Sequence, residues 1–260
     1  MNNSRRNFLK NAGLISLAAV VSPNIILKAS PINSPAKPDN KTKSGDGFVF
    51  LFQGDSITDG NRGRNTDPNH IMGHGYVFSI ASRVGADHPE KHLAFYNRGI
   101  SGNKVSDLSA RWQKDCLDLK PDVLSILVGI NDIDYAVNSG DKLLMLRFEE
   151  TLQYLLAQAK AVNPNVLVVL CLPFILPVGR VGDRLGLYEL GIAQLHANIQ
   201  NVALEYNALV VDFQQVMTHA CKKAPADYWM WDGIHPTVAG HELLAREWIK
   251  VVEKKLSFVK

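Results

Sequence analysis

Four short blocks of this 260-residue sequence carry residue types that together can move an acyl group. They are Gly54-Asp55-Ser56-Ile57-Thr58, Asn97-Arg98-Gly99-Ile100-Ser101-Gly102-Asn103, Gly129-Ile130-Asn131-Asp132 and Asp232-Gly233-Ile234-His235-Pro236. A serine hydroxyl is a weak nucleophile until a neighbouring base takes its proton. His235 can be the base for Ser56, because imidazoles as a class titrate near neutral pH. Asp232 stands three residues before it, close enough to accept a hydrogen bond from the ring and hold its tautomer. The tetrahedral intermediate of acyl transfer carries an oxyanion that needs several donors. The backbone N–H groups of Ser56 and Gly102 and the side-chain amide of Asn131 are the candidates. A glycine at 102 permits the backbone angles that such a turn demands.

Each block alone has a bland reading. Gly-Asp-Ser after a strand can be a turn. A lone Asp-x-x-His can be a helix cap beside a surface histidine. The conjunction of four blocks, three of them at strand ends, favours a site. Asp55 and Asp132 are expected to bond turn backbone and shape the site rather than react. Other hydrolase patterns fit worse: a phosphatase nucleophile block wants Asp-x-Asp, and an adhesion-type metal loop wants Asp-x-Ser. Tyr228, Trp229 and Trp231 crowd the approach to Asp232 and can form a sugar platform or pack the loop onto the core; packing is the expectation. Arg111 and Trp112 present the same two readings. His241 reads as structural or exposed, and His70 and His74 as substrate contacts that the sequence cannot place.

The elements that must position these residues alternate along the chain. Short, almost continuously apolar runs at Val49–Phe52, Ala94–Tyr96, Val123–Val128, Val166–Cys171 and Leu209–Val211 read as strands covered on both faces. Helical spacing joins Phe148, Leu152, Leu155, Leu156 and Ala159, and again Ile192, Leu195, Ile199, Val202 and Tyr206. A last helix is predicted from about Thr237, with Leu243, Leu244, Trp248 and Val252 on its buried side. This alternation predicts one α/β domain, a five-stranded parallel sheet between two helical layers. Open parallel sheets bind ligands at the carboxyl ends of their strands, where three of the blocks fall. Residues 59–75 and 173–188 break the rhythm and read as long loops, which are often functional.

The four blocks resemble the SGNH/GDSL hydrolases, in that family's order and across residues 48–256. The similarity is closer to acetylxylan esterases of the GDSL type. It rests on Gly-Asp-Ser-Ile-Thr-Asp at 54–59, Gly-Tyr-Val at 75–77, Asn-x-Gly-Ile-Ser-Gly-Asn at 97–103 and Asp-Leu-x-Ala-Arg-Trp at 107–112, then Gly-Ile-Asn-Asp at 129–132 and His-Pro-x-Val-Ala-Gly-His at 235–241. The resemblance implies a flavodoxin-like three-layer fold and ester hydrolysis without a cofactor. It implies an acetylated oligo- or polysaccharide as substrate, with a lysophospholipase or thioesterase as the alternative. Ile57 stands where the family name has Leu, and the 59–75 loop has its own sequence, which leaves the exact ester open.

Three segments are expected: a signal over 1–30, a Pro-, Lys- and Ser-rich tether over 31–47, and the domain over 48–260. Ser4-Arg5-Arg6-Asn7-Phe8-Leu9-Lys10 followed by a modest apolar run is a twin-arginine export pattern. The run is too short and too rich in Ala, Gly and Ser to span a bilayer, so no stable membrane insertion is expected after processing. A periplasmic or extracellular location follows. The signal holds four cations and no acid, so removing it takes the net charge from +3 to about −1. No basic footprint for nucleic acid remains. Cys171 reads as a small buried hydrophobe; a Cys116–Cys221 bridge is open but unsupported. No Cys/His spacing suggests a metal site. The residues leave the oligomeric state, a homo-oligomer included, undecided.

Overall fold

The computed structural model describes residues 47–260. The expected signal, and all of the expected tether but Gly47, lie outside the described residues.

The chain runs β1 (Val49–Gly54), α1 (Ser56–Asp59), α2 (Tyr76–Asp87), β2 (Ala94–Asn97), α3 (Val105–Asp115), β3 (Val123–Leu127), α4 (Ile130–Ser139) and α5 (Leu143–Leu146). It continues through α6 (Phe148–Val162), β4 (Leu167–Cys171), α7 (Gly179–Gly182), α8 (Leu185–Tyr206), β5 (Leu209–Val211), α9 (Phe213–Ala220), α10 (Ala226–Trp229) and α11 (Val238–Val252). The five strands form one parallel sheet in the order β2-β1-β3-β4-β5. This is the flavodoxin-like order, and all five predicted strands are present within two residues of their expected bounds. Helices α2, α9 and α11 form one covering layer, and α3, α6 and α8 form the other.

The continuous apolar runs are explained by burial on both faces. Phe50 and Phe52 of β1 are fully buried and meet Trp248 of α11 with ring centroids 6.4 and 5.3 Å apart. The Trp248 indole N–H donates to Ser125 Oγ inside the sheet at 3.0 Å, so its one polar atom is satisfied. On the opposite layer Trp112 is buried and donates to the Leu155 carbonyl. That settles Trp112 as a packing residue. Cys171 is buried as expected, and all three cysteines are free thiols.

The predicted loop over 173–188 is shorter than the sequence suggested. Its Gly and Pro content reads as turn, yet α7 lies inside it and α8 begins at Leu185. One glycine of early α8 serves packing. A Cβ on Gly191 would lie 2.7 Å from Ile133 Cγ2, so the missing side chain lets α8 press against α4.

Candidate active site

The sheet order reverses between β1 and β3, and the site opens beyond the carboxyl ends of those strands. β1 ends at Gly54, Asp55 caps α1 by accepting from the Ile57 N–H at 3.0 Å, and Ser56 is the first residue of that single turn. His235 arrives from a segment far along the chain, on the loop just before α11. Thr237 caps α11 by accepting from the Gly240 N–H, close to where the helix was expected to start.

Ser56 Oγ lies 2.8 Å from His235 Nε2, and His235 Nδ1 lies 2.8 Å from Asp232 Oδ2. The other Asp232 oxygen accepts from the backbone N–H groups of Ile234 at 2.9 Å and His235 at 2.7 Å. Burial alone would raise this carboxyl; the His235 side chain and the two backbone donors outweigh it and hold it at about 2. Asp232 is therefore ionised and can only accept. His235 must carry its proton on Nδ1, which leaves the Nε2 lone pair facing the Ser56 hydroxyl. Three residues from two distant segments thus form one hydrogen-bonded line.

The turn after β2 is fastened to this line from several directions. The Asn97 side-chain amide donates to the carbonyls of Thr58, Asp59 and Met72, and its oxygen accepts from the Gly99 N–H. The Ile100 N–H donates to the Gly54 carbonyl. Gly102 is exposed with φ 82°, a left-handed angle that favours glycine. Asn131 Nδ2 donates to the Asn103 carbonyl at 3.1 Å, which holds the amide against the turn that carries Gly102. The three oxyanion candidates therefore sit on β1, β2 and β3 ends that these bonds draw together.

Asp55 and Asp132 bond turn backbone, as expected. Asp132 Oδ2 accepts from the Val105 N–H at 3.2 Å, tying the start of α3 to α4. Burial pushes the Asp132 carboxyl up to about 7, against the Val105 bond, and the nearby Asp55 charge pushes the same way. Burial likewise lifts Asp55 to about 7, opposed by the Ile57 bond and the His235 charge. Asp55 Oδ2 and Asp132 Oδ1 are buried with no hydrogen-bond partner among the described residues, which suits carboxyls that keep a proton.

Two residues with parts to play at the site were not singled out from the sequence. Asp59 is buried, pairs with Arg64 at 2.6 Å and accepts from the Ser101 N–H at 3.0 Å. It anchors the 59–75 loop to the turn that carries Gly102; its place at the end of the 54–59 block was the signal for it. Arg180 approaches Asp232 from α7, inside a segment that was marked only as a long loop. The 59–75 loop is also less free than expected, since Arg62 donates to the Gly99 carbonyl. Arg111 proves to be a buttress: it donates to Asn103, Gln53, Arg98 and Asp115.

The aromatics before Asp232 divide. Trp229 is partly buried and packs on the core, as expected. Tyr228 and Trp231 do not: they are 56% and 67% exposed. Trp231 stacks on the His235 ring, centroids 5.9 Å apart and planes at 23°. The loop is pinned by its backbone and by Gly233 rather than by these rings, which leaves them to solvent. His241 is structural: its Nδ1 accepts from the Tyr76 N–H, and burial, with the charges of His235 and His74, lowers it to about 4. His70 and His74 are exposed.

Comparison with known proteins agrees with this geometry. The GDSL-like Lipase/Acylhydrolase family model matches residues 52–243. An acetylxylan esterase from Geobacillus stearothermophilus is 33% identical over 222 residues, covering 81% of this chain and 96% of that protein. A protein from Parabacteroides merdae described as a GDSL-like lipase superposes with a TM-score of 0.74 at 38% identity, over 81% of this chain and 97% of that one. The crystal structure of Axe2, an acetylxylan esterase from Geobacillus stearothermophilus, superposes with a TM-score of 0.70 at 33% identity, over 81% and 96% of the two chains. Other Axe2 structures are described as catalytic mutants in which a serine, an aspartate or a histidine becomes alanine, the last two being three positions apart. With its fold, its site blocks and its likeness running through nearly the whole described region, the chain belongs to the GDSL-like lipase/acylhydrolase family and is a carboxylic ester hydrolase.

Proposed function

We propose that this enzyme removes O-acetyl groups from carbohydrate through an acyl-enzyme on Ser56. The observation that carries the reading is the unbroken line from Ser56 through His235 to Asp232, with both links at 2.8 Å. Ser56 Oγ attacks the ester carbonyl carbon as its proton passes to His235 Nε2. The oxyanion takes donors from the N–H groups of Ser56 and Gly102 and from the Asn131 amide. His235 then gives its proton to the sugar oxygen, which leaves as the alcohol. Water attacks the acetyl-Ser56 carbonyl, again losing a proton to His235, and acetate departs as Ser56 Oγ recovers that proton. Asp232 stays ionised throughout and steadies the imidazolium.

The substrate class draws support from the acetylxylan esterase relatives, one of which is described as an acetyl-xylooligosaccharide esterase. The exposed Trp231 stacked beside the histidine suits a sugar ring, whose C–H face packs on aromatic surface. Ser56→Ala is expected to abolish release of acetate from acetylated xylo-oligosaccharides and from p-nitrophenyl acetate. The variant loses one hydrogen bond, worth about 1 kcal/mol, so its thermal midpoint stays within about 4 °C of the parent. Turnover at the parent rate in this variant would remove Ser56 from the mechanism.

We also propose export by the twin-arginine route to the periplasm or beyond. The support is the Arg5-Arg6 motif, a receptor-read address rather than an anchor. Replacing both arginines by lysine should leave folded enzyme in the cytoplasmic fraction. Normal export of that double variant would point to another pathway.

A further inference from the structure

We propose that Arg180 is a positioning residue for this triad, bridging its acid, Asp232, to Asp134 on the helix that carries Asn131. The guanidinium Nε lies 3.4 Å from Asp232 Oδ2, and Nη1 lies 3.8 Å from Asp134 Oδ1. Asp134 also accepts from the Tyr188 hydroxyl of α8. One cation therefore links the loop that holds His235 to the helix that holds an oxyanion donor. These two parts of the site come from segments a hundred residues apart, so their mutual placement needs such a tie.

The support beneath Arg180 is built for close approach. The Leu176 N–H donates to the Gly233 carbonyl at 3.1 Å. Gly179 has φ 53°, and a Cβ there would lie 2.6 Å from the Asp232 Cα. Gly233 has φ 89°, and a Cβ there would lie 2.4 Å from the Val178 carbonyl oxygen. Two glycines thus interlock, and α7 presses directly against the Asp232 backbone. At its far end Arg184 donates to Asn138 and to the Val137 carbonyl, securing the same segment to α4.

The bridge has an electrical consequence. Asp232 Oδ2 serves both His235 and Arg180, so the guanidinium offsets part of the field that stabilises the imidazolium. Groups that pair with His235 or feel its charge include Asp232 from its own loop, Ser56 from α1, Asp55 from the end of β1 and His241 from α11. His74 acts on His241. None of these changes when only Arg180 is replaced. Removing the cation makes His235 easier to protonate, and the acid limb of the rate profile moves to higher pH.

The proposal rests on the esterase reading above, and its test separates the two. Arg180→Gln, Arg180→Lys and Ser56→Ala are assayed with p-nitrophenyl acetate from pH 5 to 9. The His235 ring titration is followed by NMR in the parent and in Arg180→Gln. For Arg180→Gln the expected result is a kcat lower by roughly tenfold, from the misplaced acid, with KM little changed. Its acid limb and ring titration should both move up by about half a pH unit, a modest shift because Arg180 is half exposed. Arg180→Lys keeps the charge and should restore the parent acid limb. Parent kcat, acid limb and ring titration in Arg180→Gln would overturn the proposal. So would a loss confined to KM, which would make Arg180 a substrate contact. Full activity of Ser56→Ala would instead overturn the esterase reading, whatever Arg180 does.

Discussion

At the scale of single residues, the site depends on which atoms can still give or accept a hydrogen bond. Asp232 is fully engaged: one oxygen takes two backbone donors and the other faces both His235 and Arg180. It cannot drift toward another role, and this fixes the direction of proton flow between Ser56 and His235. Asn131 spends one N–H on the Asn103 carbonyl, and the proposed mechanism gives its second to the oxyanion. That donor matters only once negative charge develops, so its loss should appear in kcat. Asn131→Ala should lower kcat by roughly 10²–10³-fold, about 2.7–4 kcal/mol of transition-state stabilisation, with a smaller effect on KM. Steady-state kinetics on p-nitrophenyl acetate would check this; a pure KM defect would make Asn131 a binding residue.

At the scale of elements, the turn that carries Gly102 is held between α1, α3 and α4 by side-chain hydrogen bonds. Asp132 exemplifies this, joining the first turn of α4 to the first residue of α3 across the turn that carries Gly102. Burial lifts its carboxyl to about 7, with the Val105 bond opposing and the Asp55 charge adding. The unfolded chain titrates near the ordinary value of about 3.9, so the folded state holds an extra proton between the two. The contribution of Asp132 to stability is therefore full below about pH 4 and is lost as pH rises through about 7. Asp132→Asn keeps an acceptor for the Val105 N–H and cannot titrate. Its thermal midpoint relative to the parent should rise between pH 5 and pH 8. A constant difference across that range would show that Asp132 holds no proton in the fold.

At the scale of the whole molecule, the question is what ester the site accepts. The 59–75 loop presents exposed Asn61, Asn65 and Asn69, while Arg62 is drawn inward to Gly99 and the exposed Arg64 is held by Asp59. Trp231 stacks on His235, and it and Tyr228 are largely exposed. A polar rim with two aromatic faces suits sugar hydroxyls and ring faces. A site that buries an alkyl chain gains about 0.8 kcal/mol per methylene, so its rates climb with chain length. The opposite trend is expected here: p-nitrophenyl acetate fast, butyrate slower, octanoate nearly inert. A kcat/KM that rises from acetate to octanoate would replace the carbohydrate reading with a lysophospholipase-like one. Among the described residues no helix is long and apolar enough to cross a membrane.

The sequence by itself determined the parts that local patterning encodes. Strands buried on both faces leave continuous apolar runs, and residues at their carboxyl ends are readable once the strands are. Ser56, Gly102 and Asn131 were readable as candidates in this way, and Asp232 and His235 as a pair three residues apart before the last helix; the five strands and the start of α11 near Thr237 were readable too. The tertiary structure decided what depends on two distant segments meeting. Gly179 and Gly233 look like ordinary turn glycines until the two backbones are seen to interlock. Gly186 looked like a loop residue, yet it lies in α8, and only packing reveals that Gly191 lets that helix approach α4 closely. Arg180 is one arginine among many until the fold brings Asp232 and Asp134 to either side of it. Trp231 was expected to pack on the core and instead faces solvent, because an aromatic side chain satisfies either environment and only the path of the neighbouring chain chooses.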